Sequence, residues 1–389
     1  MMKYRALVSN FNSTADFADL FYKNFKNKLD RVKAGDIVLL KPNMFMTDKY
    51  FYTNPELLKN TAMVFKELGA KVVIAERLRV MDKILDDFSD IYKYADVISF
   101  DDMEMKKIKI NDATSLRQEI EIPSVIFECD FLVGVPQFRT HAGVLMSNAL
   151  KNMVGILPGF TTRIIHNVGL TESIVDINRI RQQDMVVADL TTTIEGNYPI
   201  DGLPVHRNTV IIADNALAAD LTAAELAGFE ANSIQYLILA AKAGMGPYNL
   251  NEVEVINDLE DYKFGCIKAG ISEDKNSDIG TLYYESACPE CKRYCHSLIE
   301  FLKKQGISNA DLTFVSGPVI QEDISGKDPA EVVLVGNCTY HKRNSGIYIE
   351  GCPPRAIQAQ AVGEWLQNGG TVCEQYANQC RWTNLRRGE

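Results

Sequence analysis

Five cysteines in the last third of the chain offer the clearest chemistry. Cys288-Pro289-Glu290-Cys291 sets two thiols at C-x2-C spacing, and Cys295 follows at C-x3-C spacing. Cys338 stands in Gly336-Asn337-Cys338 and Cys352 in Gly351-Cys352-Pro353-Pro354. Two thiolates so close in sequence grip one metal centre from a single turn, with their amides turned toward the sulfurs. The glycines let the backbone come near, and the prolines after Cys288 and Cys352 keep these loops out of regular structure. The pattern fits a 4Fe–4S cluster, with five candidates for four positions and Cys295 the first to be spared. Zinc is the alternative, because thiolates serve both. It usually pairs two C-x2-C units, or one with two histidines, whereas the later cysteines here stand apart. His296 and His341 read as surface residues beside the thiols. Cys129 and Cys266 read as small core residues, and Cys373 and Cys380 as spare thiols.

A second constellation is polar. Gln137, Arg139 and His141 follow an apolar run, then come Asn148, Lys151 and Asn152, then Arg163 and His166. His141, His166 and Lys151 suit proton transfer and catalysis, while Lys41, Asn43, Arg139, Asn152 and Arg163 suit an anionic substrate. Glu76 and Arg77 are weaker candidates. Asp189 and Asp214 read as helix caps. No Walker loop, G-x-G-x-x-G fingerprint, G-x-S-x-G elbow or H-E-x-x-H occurs, so the common nucleotide and hydrolase classes lose weight.

The elements that must position these groups alternate in type. Asp36 to Leu40 is a buried strand that Pro42 stops, and Asn54-Pro55-Glu56 opens a helix ended by Gly69. Lys71 to Ala75 is the next strand, which makes a βαβ unit and a parallel sheet. Strands follow over 95–100, 131–135, 185–188 and 209–213, and helices over 146–154, 171–181, 216–226 and 233–243. A loop is expected after Pro136. Composition shifts near residue 260, and all cysteines but Cys129 lie beyond it. The expected organisation is an α/β body over residues 1–260, mainly a parallel sheet with flanking helices. A smaller cysteine-rich α+β part over 261–389 follows, with a linker over 270–281.

The chain has 389 residues, is 46% hydrophobic and 24% charged, and carries a net charge of −10. A nucleic-acid partner is not expected from so acidic a chain. No apolar run is long enough to span a bilayer, and the amino terminus lacks the apolar core of a signal peptide. The expectation is a cytoplasmic protein with no membrane partner, its thiols serving metal or redox chemistry rather than a disulfide frame.

The body is also similar to a known family. Lys41-Pro42-Asn43, Thr53-Asn54-Pro55, Gly69-Ala70-Lys71-Val72, the run Pro136 to His141, and Leu150-Lys151-Asn152-Met153-Val154-Gly155 occur in this order. His166, the run Asp214 to Asp220 and Gly244-Met245-Gly246 continue the series. Over residues 35–256 it resembles the uncharacterised domain of unknown function 362. Members of that family often carry iron–sulfur modules, so the resemblance implies a cluster and adds weight to Lys41, Asn43, His141, Lys151, Asn152 and His166. Gln137 and Arg139 stand where the family pattern would have lysines, and the ferredoxin run C-x2-C-x2-C-x3-C-P is absent.

Together these features lead to an expected iron–sulfur redox enzyme, an oxidoreductase acting on a small anionic substrate in a crevice of the body and fed by an electron-donor protein. The alternatives are a Lewis-acid lyase or dehydratase, an electron carrier or maturation protein, and an α/β enzyme with structural zinc. A homodimer is left open.

Overall fold

The computed structural model describes residues 4–11, 14–44, 50–77, 89–270, 276–277, 279–307, 311–319, 324 and 326–368. Cys373, Cys380 and part of the expected linker fall outside these residues. Strand β1 (Tyr4–Asn10) and helices α1 (Thr14–Asn24) and α2 (Lys26–Leu29) lead to β2 (Ile37–Pro42), α3 (Pro55–Glu67), β3 (Lys71–Glu76) and β4 (Asp96–Ser99). A hairpin of β5 (Met105–Ile108) and β6 (Ile120–Pro123) and the short α4 (Val125–Glu128) precede β7 (Phe131–Val135), β8 (Gln137–His141) and β9 (Leu145–Ser147). Next come α5 (Ala149–Asn152), α6 (Gly159–Val168), α7 (Leu170–Ile180), β10 (Met185–Asn197), β11 (Asp201–Ala213), α8 (Ala216–Leu226), α9 (Gln235–Lys242) and β12 (Val253–Ile256).

These strands, apart from the β5–β6 hairpin, form one sheet in the order β12-β1-β11-β10-β7-β2-β3-β4, with β8 on β10 and β9 on β8. Its central run, β10-β7-β2-β3-β4, is parallel throughout. The continuous apolar run of β2 follows from burial on both faces: Leu39 enters one core layer, Val38 and Leu40 the other. The α/β expectation for the body holds.

The second sheet begins at β13 (Asn276–Ser277) and β14 (Gly280–Tyr283). After α10 (Pro289–Lys304) come β15 (Leu312–Ser316), β16 (Val332–Val335), β17 (Ile347–Ile349) and α11 (Ala356–Gln367). Strands β14 to β17 are parallel neighbours in sequence order, and only β13 runs against them. This part is therefore more regular than the expected α+β arrangement. Strands of three to five residues carry too little pattern to reveal their pairing. Its core takes in Ala142 and Ile200 from the first sheet's side, so the two sheets share apolar contacts.

Three local expectations change. Pro136 is followed by strand β8 rather than a loop. Pro42 is the last residue of β2, opposite Val135, not a stop before it. The helix expected over 146–154 divides into β9, α5 and a 3-10 turn over Met153–Ile156. By contrast, α3 starts as its sequence implies: Asn54 Oδ1 accepts from the amides of Glu56 at 2.9 Å and Leu57 at 3.4 Å.

Candidate functional site

Parallel strands deliver the polar groups at their carboxyl ends, where open α/β sheets hold ligands. Lys41, at the end of β2, is fully buried and paired with Glu76 at the end of β3. Its ammonium also donates to the carbonyl of Pro42 at 2.9 Å and to Asn152 Oδ1 at 3.2 Å. The Asn152 amide returns a bond to the Lys41 carbonyl at 2.8 Å. Burial lowers the Lys41 pKa and raises that of Glu76, with their mutual attraction opposing both shifts. A Cβ at Gly155 would stand 2.5 Å from Lys41 Nζ and 2.9 Å from Glu76 Oε1, so this glycine makes room for the pair. Lys41 and Asn152, expected to meet substrate, are thus bonded internally.

Strand alternation puts Gln137, Arg139 and His141 on one face of β8. Buried Arg139 donates to Gln137 Oε1 at 2.9 Å and 3.1 Å, to Asn43 Oδ1 at 2.6 Å, to the Phe51 carbonyl at 2.7 Å and to the Tyr198 hydroxyl. Its guanidinium also stacks over Tyr198, 4.7 Å from the ring centre. No carboxylate forms an ion pair with it among the described residues. Asn43 and Arg139 therefore form one network.

The two histidines of the expected catalytic set are brought together but hold opposite tautomers. His141 Nδ1 accepts from the amides of Gly143 at 2.9 Å and Val144 at 3.3 Å, which leaves the proton on Nε2. His166 Nδ1 faces the Pro353 carbonyl at 3.1 Å and must donate to it, which leaves a lone pair on Nε2. Burial holds both imidazoles neutral: His141 lies well below its usual pKa and His166 falls to about 3. The positive charges of Lys151, Arg139 and Arg293 reinforce the shift at His141, and those of Lys151 and Arg355 the shift at His166. Lys151 is itself pushed down to about 8, by burial first and then by Arg139. Its Nζ has no hydrogen bond or ion pair among the described residues. Arg163 lies one turn before His166 on the same face of α6 and is likewise unpaired among the described residues.

Helix α5, which carries Lys151, is fixed by Asp220, a residue the sequence did not single out. The Asp220 carboxylate accepts from the amides of Ala149 at 2.7 Å and Leu150 at 3.1 Å, and burial raises its pKa to about 7. Asp189 lies within β10 and is not itself a helix cap: it accepts from the amides of Asn54, the residue that caps α3, at 2.7 Å and of Thr191 at 2.9 Å. Asp214 accepts from the Arg5 amide at 2.9 Å, a strand-edge bond rather than a cap. Arg77 pairs with Asp101 at 3.1 Å.

The thiols leave the carboxyl ends of the second sheet. Cys288 precedes α10 after β14, Cys291 lies in its first turn, and Cys338 and Cys352 follow β16 and β17. Hydrogen bonding from the Cys291 thiol lowers Cys288 to about 7 against the effect of burial. The Cys291 thiol is held well above its usual value, by that bond, then burial, then Cys288, Cys295 and Cys352. Burial raises Cys338, and raises Cys352 to about 11, and Cys288 adds to both. Gly336 has φ +90, and a Cβ there would lie 3.1 Å from Cys291 Sγ. Cys295 is different: it is wholly buried on α10, in the core and beside Ser316, with its thiol pushed up to about 12. His296 is also buried, not on the surface as expected, and meets the Tyr284 hydroxyl at 3.0 Å. Exposed His341 bonds the Cys338 carbonyl at 3.2 Å. Among the described residues no three His, Cys, Asp or Glu side chains close around a point as the ligands of a single ion would.

The thiol loops abut the segment that holds His166. The Cys352 amide donates to the His166 carbonyl, the Leu170 amide to the Cys352 carbonyl at 2.9 Å, and Asn337 Nδ2 to the Asn167 carbonyl at 2.8 Å. Arg293, another residue the sequence did not single out, donates to the Gly143 carbonyl at 3.3 Å, and the charges of Glu290, Cys288 and Cys291 act on it. Its place two residues after Cys291 was the available signal. A separate cavity of about 500 Å³, lined by Tyr52, Asn54, Gln137, Asp189, Thr192 and His206 among others, lies beyond the Gln137 end of the β8 row.

Comparison with known proteins agrees with the motif series. The model of a family described as domain of unknown function DUF362 matches residues 38–225. The thylakoid-associated protein sll1697 of Synechocystis sp. (strain ATCC 27184 / PCC 6803 / Kazusa) is 20% identical over 226 residues, which is 56% of this chain and 70% of that protein. Among solved structures, the lactate racemase apoprotein from Thermoanaerobacterium thermosaccharolyticum is 13% identical and aligns over 94% of this chain and 91% of its own, with a TM-score of 0.42. That likeness is too distant to bear on chemistry. No helix among the described residues is long and apolar enough to cross a membrane.

Proposed function

With residues 38–225 forming a DUF362 domain, we propose that this chain is an iron–sulfur redox enzyme whose cluster site flanks an anion-binding crevice. The observation that carries the reading is the grouping of Cys288, Cys291, Cys338 and Cys352, from three loops, beside the segment that holds His166. The four thiols act on one another electrostatically yet do not close to single-ion spacing. Around one zinc, sulfurs bound at about 2.3 Å stand roughly 3.8 Å apart; a cluster keeps them wider. Gly336 leaves the space beside Cys291 clear. Cys295 takes no part, because it belongs to the core.

When bound, the cluster supplies or takes up electrons. The crevice residues do the rest. Among the described residues Lys151 and Arg163 have no counterion, in a chain of net charge −10, and Arg139 adds a buried guanidinium that forms no ion pair. Such charges are costly to bury alone and favour an anionic guest. His141 donates from Nε2 and His166 accepts at Nε2, so one wall polarises an oxygen while the other receives a proton.

Anaerobically purified protein is expected to carry about four irons and four sulfides, with a broad absorption that dithionite bleaches. Cys288→Ser with Cys291→Ser removes both, and Cys295→Ser retains them. One zinc per chain without sulfide would overturn the reading and make the thiols a structural staple.

A further inference from the structure

Of two lysines at the carboxyl ends of these elements, fully buried Lys41 and half-buried Lys151, only Lys41 has a counterion among the described residues. Lys41 is matched by Glu76. Lys151 has no counterion and no hydrogen-bond acceptor among the described residues, and it lies in the field of Arg139. A desolvated amine near another cation, with nothing to hold its proton, is the environment that makes lysine a nucleophile toward carbonyl carbon. The neighbouring imidazoles are set for the same chemistry, with a donor N–H on His141 and a free lone pair on His166. The backbone that carries Lys151 is fixed at both ends of α5, by Asp220 at its start and by the Asn152–Lys41 bonds at its finish.

We propose that Lys151 is a carbonyl-condensing residue that forms an imine with a small 2-oxo acid bound in the crevice. This rests on the reading of the crevice as an anion site but not on the thiol site. The Nζ lone pair attacks the carbonyl carbon, the C=O π bond opens, and the carbinolamine oxygen takes up a proton. Loss of that oxygen as water, with both protons drawn from the amine, leaves a C=N bond. No oxidant or reductant is needed. His141 Nε2–H stabilises the developing oxyanion, and His166 Nε2 relays the proton. Arg163, beside His166 on α6 and unpaired among the described residues, is the group placed to receive the carboxylate. Lys41 does not substitute for Lys151, because its amine is already engaged by Glu76, Asn152 Oδ1 and the Pro42 carbonyl.

Glyoxylate with cyanoborohydride, near neutral pH, tests the proposal by peptide mass mapping of the whole chain. At about 8 against the ordinary 10.5, Lys151 has roughly three-hundredfold more neutral amine than an exposed lysine at that pH. Its adduct is therefore expected to form on the order of a hundredfold faster than those at exposed Lys66 or Lys107, and Lys151→Arg abolishes it. Equal labelling of Lys66, Lys107 and Lys151 would overturn the proposal. If the arginine variant fails to fold, the site-resolved rates in the unaltered chain decide alone. Measuring iron in the anaerobically purified, unaltered chain beside the labelling separates the two readings. An adduct at Lys151 in protein without iron supports the condensing lysine while the cluster reading fails. Iron without the adduct gives the reverse.

Discussion

Lys41 shows how far a single residue can be understood from its sequence position. Its place at the end of a buried strand was legible, but its partner was not. Glu76 reaches it only because β2 and β3 are parallel neighbours, with Leu40 opposite Ile74. Replacing Lys41 by Met strands a buried carboxylate and is expected to cost about 3–5 kcal/mol in urea unfolding. Adding Glu76→Leu should recover most of that loss; a double variant as unstable as the sum would show the pair to be uncoupled. Asp220 makes a prediction about pH. Its folded pKa, about 7, lies above the ordinary 3.8, so the folded state binds the extra proton. Its stabilising contribution is full below about pH 4 and is lost as pH rises through about 7. In Asp220→Asn this decline disappears from the pH profile of stability, and the gap between variant and parent narrows as pH rises over that window. A gap independent of pH would show that Asp220 titrates as it does in the unfolded chain.

At the scale of elements, caps and buried runs were readable, whereas polar strands were not. Asn54, Pro55 and Glu56 announce α3, and the Asn54 cap forms as expected. Asn54→Ala should lower stability by about 1 kcal/mol, or more because Thr191 also loses the Asn54 side-chain amide as a partner. Strand β10 was legible only to Ala188. Beyond it come Asp189, three threonines and Glu195, which look like a loop in sequence yet are buried in the sheet. Each is satisfied by bonds that sequence does not display: Thr193 Oγ1 donates to Glu195 at 2.7 Å, and Arg207 pairs with the same carboxylate at 2.8 Å. The polar row on β8 was misread for the same reason. Gln137 and Arg139 satisfy each other within a strand whose opposite face, with Phe138, is core.

For the whole molecule, the grouping of thiols with the crevice could not be read from spacing, because it depends on how two sheets meet. Asn197, at the end of β10, is central to that meeting. Its Oδ1 accepts from the Gly270 amide at 3.0 Å and the Ser297 hydroxyl at 2.8 Å, and its amide donates to Glu300. In Asn197→Ala the buried partners lose their bonds, and heating should uncouple the sheets into two calorimetric transitions where the parent shows one. A single transition in the variant would mean that the shared apolar contacts suffice. The distribution of the site along the chain also bears on its synthesis. His141, Lys151 and His166 leave the ribosome well before Cys338 and Cys352, and domains form in the order they emerge. A nascent chain therefore carries His141, Lys151, Arg163 and His166 before the segment after β17, whose Cys352 amide bonds the His166 carbonyl, has been made. Translation itself thus sets an interval in which the His166 segment lacks its Cys352 contacts and is open to partners that the finished chain meets only with those contacts in place.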